Sequence, residues 1–81
     1  MEIIYVIETK CDHILRWRFE EIQHKSEYSN GKYVIIVNLD TCKLIDYVDV
    51  RYCVNFDFET FCAKYIEEYF GTNLSKIYKE D

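Results

Sequence analysis

The chain has 81 residues, 15 acids against 10 bases for a net charge of −5, and 49% hydrophobic content, which marks one small folded domain and excludes a disordered tail. A domain this short buries only about 60–65% of the surface its unfolded chain exposes, so dense packing or a partner must supply the rest of its stability. Eight Tyr, five Phe and one Trp are more ring area than so small a core hides, so some tyrosines are expected at the surface, where their polar tips suit protein contacts.

In chain order, residues 2–9 are the first expected strand, rich in Ile, Tyr and Val. Its run Ile3 to Ile7 and the later run Tyr33 to Val37 are the longest uninterrupted apolar stretches, far short of the ~20 residues that cross a bilayer. No transmembrane segment is expected. Glu2 follows Met1 with no basic region or cleavable apolar stretch, so no secretory leader is expected and the expected location is cytoplasmic. Glu8, Thr9 and Lys10 carry the Glu-x-Lys half of a restriction-nuclease-like signature, but only Glu2 precedes it, on the same strand, so the second metal-binding acid is missing. Cys11 and His13 project to one side if that stretch is extended. Asp12 between them opposes thiolate formation.

Residues 12–25 support two readings. Leu15, Trp17 and Phe19 alternate with Arg16, Arg18 and Glu20 as in a strand. Equally, Asp12 can cap a helix on which Leu15, Phe19 and Ile22 share an arc, with Arg16–Glu20, Glu20–His24 and Glu21–Lys25 as i, i+4 pairs. Ser29, Asn30 and Gly31 then signal a turn. Strands are expected at 32–39 and 44–54, paired antiparallel through Asp40, Thr41, Cys42 and Lys43. In the second, Val48, Val50, Tyr52 and Val54 alternate with Tyr47, Asp49, Arg51 and Cys53, which gives one buried and one wetter face. Strands 2–9 and 32–39 are apolar on both faces, so they are expected to be central, or covered on the second face by another element or another copy of the chain. Asp46 and Asp49 have opposite parity and cannot share a metal.

The helix expected at 58–70 rests on Phe58, Phe61, Cys62, Tyr65, Ile66, Tyr69 and Phe70, which share one helical face. Asp57 is its expected N-cap, Glu59 suits the positive end of the dipole, and Gly71 is placed for a left-handed C-terminal cap. Glu67 and Glu68 lie in the last turn, where the dipole disfavours carboxylates. Leu74 to Lys79 reads as an edge strand or a frayed turn. The fold class expected is therefore α+β, a small antiparallel sheet packed against the C-terminal helix, in either a ferredoxin-like β-α-β-β-α-β order or a β-meander followed by a helix.

Most chemical functions lack their residues. Cys11, Cys42, Cys53 and Cys62 are too widely spaced for close zinc-ligand pairs and are expected as free thiols in a reducing compartment. The two glycines are forty residues apart, which leaves no phosphate-cradling loop. Neither a metal nor a cofactor is expected. Arg16, Trp17 and Arg18 are the one basic-aromatic cluster, but with three arginines and a net charge of −5 direct nucleic-acid binding is not expected.

The acid excess is uneven: residues 1–36 hold six acids and five bases, residues 37–70 seven acids and three bases. Asp40, Asp46, Asp49, Asp57, Glu59, Glu67 and Glu68 could therefore meet a basic groove on another protein, and Asp46, Asp49, Glu59, Glu67, Glu68 and Tyr47 are the expected partner-binding residues. In size, acidity and an Ile-, Tyr- and Lys-rich usage with little Ala or Pro, the chain resembles small inhibitors of phages and mobile elements, such as anti-CRISPR and anti-restriction proteins, and the immunity proteins that neutralise bacterial toxins. That resemblance implies a non-enzymatic acidic module that blocks a nuclease, a CRISPR effector or another nucleic-acid-handling enzyme. The alternative reading is a homodimeric assembly or small-ligand-sequestering protein with a self-complementary sheet face.

Overall fold

A computed structural model describes residues 1–25 and 30–80. Period-two alternation of large apolar residues builds strands β1 (Glu2–Thr9), β2 (Ile14–Lys25), β3 (Asn30–Asn38) and β4 (Lys43–Asp49), and 3.6-residue periodicity builds helix α1 (Phe58–Phe70). A short 3-10 turn, Gly71–Asn73, leads into β5 (Leu74–Lys79). The five strands form one sheet in the order β4-β3-β2-β1-β5 with every neighbouring pair antiparallel. The first four make a meander. β4 and β5 run in the same direction at opposite edges, so α1 has to cross the sheet to join them.

The α+β class is as expected, and the block at 12–25 resolves as strand. Trp17 and Phe19 are 2% and 0% exposed while Arg16, Arg18 and Glu20 lie on the other side. The ferredoxin-like alternative is thereby excluded in favour of the meander. On β2 the i, i+4 charge pairs count for little against burying an indole and a phenyl ring. The stretch 74–79 is an edge strand on β1, with Ile7 opposite Ile77.

Helix α1 has the expected bounds. Asp57 accepts from the Thr60 N–H at 3.1 Å and from the Thr60 hydroxyl, and both bonds hold the Asp57 carboxyl below its ordinary range, the hydroxyl's more strongly. At the far end the Gly71 N–H donates to Glu67 O with φ 55° and ψ −130°. The positive φ is as expected, but the ψ lies outside the left-handed helical basin, in a region open chiefly to glycine.

Two expectations need correction. The strand placed at 44–54 ends at Asp49, and Tyr52 and Val54 are 83% and 87% exposed. Val50 donates to Lys32 O and sinks into the core, then the chain turns, with Cys53 N–H bonded to Val50 O and Asn55 at φ 54°. The alternation beyond Val50 is therefore that of a loop reaching for the start of α1. Gly31, expected in a turn, sits within β3 opposite His24, and a Cβ there would strike the Tyr33 ring. Ser29, the first residue of that expected turn, lies outside the described residues.

The core is the layer between the sheet and α1. Tyr5, Ile7, Trp17, Phe19, Val34 and Ile36 from the strands meet Phe58, Cys62 and Ile66 from the helix, with Val50 closing one end. Tyr5 packs edge-on against Phe19 at 5.6 Å, and Trp17 against Tyr69 at 4.9 Å. The Trp17 indole N–H has no hydrogen-bond partner among the described residues.

Candidate partner-binding surfaces

The strands place alternate residues on a second face, and no described element lies over it. Ile4 and Val6 of β1, Arg16, Arg18 and Glu20 of β2, Tyr33, Ile35 and Val37 of β3, and Leu44 and Tyr47 of β4 all belong to this open face by register. Leu44, Tyr47 and Tyr78 are 62%, 53% and 44% exposed. A bulge in β4 between the partners of Ile36 and Val37 leaves Ile45 packed against the core while Leu44 faces out.

Two of the arginines at this face are paired. Arg16 forks onto Glu80, with Nη2–Oε2 at 2.8 Å, and that bond first and the attraction second raise the Arg16 pKa. At the β4 end Arg51 pairs with Asp49 at 2.8 Å and lies over the Tyr52 ring at 5.1 Å, beside Tyr33 and Tyr47 stacked at 4.8 Å. The Arg51 backbone N–H and then its guanidinium hold the Asp49 carboxyl below its usual range. Arg18, on the middle strand, is less satisfied. Its Nη2 reaches Glu20 only at 3.8 Å and its buried Nε has no partner among the described residues.

The outward side of α1 is different in kind. Glu59, Thr60, Lys64, Glu67, Glu68 and Tyr69 are exposed there, and a shallow depression runs along Asp57, Glu59, Thr60, Ala63, Lys64 and Glu67. Glu59 is joined to Lys79 at 2.7 Å. Glu67 and Glu68 have no ion-pair partner among the described residues, and the last turn carries no base.

The six residues expected at a partner surface therefore fall into three places. Glu59, Glu67 and Glu68 share the outer side of α1. Tyr47 and Asp49 lie on the open sheet face behind it. Asp46 is half-buried between sheet and helix, where it accepts the Tyr65 hydroxyl at 2.7 Å. Burial first and this bond second push the Tyr65 phenol well above its ordinary range. Sequence reasoning missed Leu44, Arg18 and Tyr78 as surface features. Their signal was the parity of β1 and the 32–39 run, apolar on both faces, which places a second apolar layer on the same sheet.

Cys62 is fully buried, and burial pushes its thiol up to about 12. Cys11 is exposed with its Sγ 3.5 Å from Asn73 Oδ1, away from any base in hydrogen-bond reach among the described residues. Among the described residues no three His, Cys, Asp or Glu side chains gather as a metal site, and no helix is long and apolar enough to cross a membrane.

No protein-family model matches the chain, and comparison with curated proteins and with solved structures finds no match.

Proposed function

We propose that this protein is a non-enzymatic binding module that occupies a basic surface of another protein, of the kind a nuclease or other nucleic-acid-handling enzyme carries, and so inhibits it. The observation that supports this reading is the one-sided charge of the helix. Residues 57–70 hold four acids and one base, and Glu59, Glu67 and Glu68 stand together on the outer side. Carboxylates near a helix C-terminus cost about 0.3–1 kcal/mol each, a cost that folding alone does not require. Against a basic partner the same charges raise the encounter rate and gain partners of opposite sign.

Such a module needs no catalytic group, which agrees with its resemblance in build to phage and mobile-element inhibitors. The reading places it in the cytoplasm, where its four thiols, unpaired in the structure, stay reduced. The test is capture of a partner from bacterial lysate by tagged protein, eluted in salt steps, followed by the Glu67→Gln/Glu68→Gln variant. Partner affinity at low salt is expected to fall about tenfold, with a shallower salt dependence. Equal affinity and equal salt slope for variant and wild type would remove the helix from the interface.

A further inference from the structure

We infer that the open sheet face is a homodimer interface, in which two copies pack face to face about a two-fold axis that lies between the sheets, perpendicular to the strands at the level of Phe19. This goes beyond the helix-based reading above and does not depend on it, since the two surfaces are on opposite sides of the molecule.

Charge complementarity selects a second copy as the occupant. Arg18 and Glu20 are two residues apart on β2, the middle strand, and both project from the open face. Within one chain they meet only at 3.8 Å, and the buried Arg18 Nε has no partner among the described residues. An isologous interface pairs residue i with j and j with i. With the axis at the level of Phe19, Arg18 faces Glu20 of the partner subunit, and Glu20 faces Arg18 of the partner subunit. One opposed pair on one strand therefore becomes two salt bridges across the middle of the dimer, each shielded from water.

On the β3–β4 side the same axis lays like residues on one another. Phe19 is level with Ile36, and Ile36 with Asp46. Ile35 consequently meets the partner subunit's Val37, and Tyr47 meets the partner subunit's Leu44. The apolar β3–β4 half thus covers its own copy, whereas an axis along the strands would set Arg18 on Arg18 of the partner subunit.

About this axis β2 overlaps its copy along most of its length and β3 and β4 over about five residues each, while β1 overlaps only near Ile3 and β5 lies wholly to one side. The covered area is small, so the dimer is expected to be weak, with dissociation at roughly tens of micromolar.

Sedimentation equilibrium of the full chain up to about 200 μM tests this. The expected result is a monomer–dimer equilibrium. Arg18→Glu is expected to weaken it by about tenfold or more, and Arg18→Glu/Glu20→Arg to restore it to within about threefold, since the reversed pair is again self-complementary. Leu44→Lys, a change at an exposed edge position that leaves the core intact, is expected to give monomer. Its thermal unfolding at low concentration checks that the fold persists. A wild-type chain that stays monomeric at the top concentration overturns the inference. So does a dimer that survives both Arg18→Glu and Leu44→Lys, which must use another surface. The Glu67→Gln/Glu68→Gln variant should dimerise as wild type does, so failure of the dimer and failure of the helix reading are separately visible.

Discussion

The two faces of the sheet are built from alternate residues of the same strands, yet they end in opposite states. Trp17 and Phe19 lie under α1 and are sealed from water, while Arg16, Arg18 and Glu20, interleaved with them, stay partly wet. On β3, Val34 and Ile36 are fully buried but Ile35 and Val37 only half so. Strand pattern alone distinguishes two sets of residues. Which set becomes the core depends on the side on which the crossing helix lands. A helix of this length covers one face, and the apolar residues on the other are left without a covering element among the described residues.

The largest contrast between the two layers should appear in thiol chemistry. Cys62 is buried with its thiol raised to about 12, while Cys11, Cys42 and Cys53 are exposed. Labelling native protein with a thiol reagent should therefore give three fast equivalents and one that waits for unfolding, slower by about a thousandfold or more for a domain of ordinary stability. Four fast equivalents would show that α1 does not seal its face of the sheet.

Truncations on the two faces should differ next. Phe19→Ala opens a cavity in the closed layer and is expected to cost about 3–5 kcal/mol in urea unfolding. Val37→Ala on the open face is expected to cost about 1.5 kcal/mol or less for the monomer. Equal costs would mean that the open face is already covered under the conditions of the measurement, as in the dimer.

The smallest effect is alkaline. Tyr5 is almost fully buried and its phenol is raised to about 12, by burial first and then by Cys62, Glu59 and Asp57 nearby. A raised folded pKa means that the neutral phenol stabilises the fold below the unfolded value near 10. That contribution is lost as pH rises through the window between about 10 and 12. Tyrosinate absorbance should show a late step near pH 12 that belongs to Tyr5 and is absent from Tyr5→Phe. Tyr5→Phe should flatten the loss of stability across that window.

These contrasts also mark how far local signals reach. The bounds of β1 and α1, the Asp57 cap and the stop at Gly71 were all legible, because each depends on residues within one or two turns of one another. The acidic outer side of α1 was legible for the same reason. Asp46 was not, since its polar partner is Tyr65, nineteen positions on. Nor was the split of Tyr47 and Asp49 from the helix acids, because parity within β4 says nothing about which side α1 will take.

By itself the amino-acid sequence determined the α+β class, the two-sided apolar character of β1 and β3, and the helix with its Asp57 cap and its stop at Gly71. Only the tertiary structure decided that 12–25 is a strand, that β4 stops at Asp49, and that Arg18 and Glu20 stand on an uncovered face. The physical reason is that helix caps and periodicity are satisfied within a segment, whereas a strand is satisfied only by its neighbours. β2 is extended because β1 and β3 flank it on both sides. β4 ends where Val50 leaves the sheet to close the core beneath the start of α1.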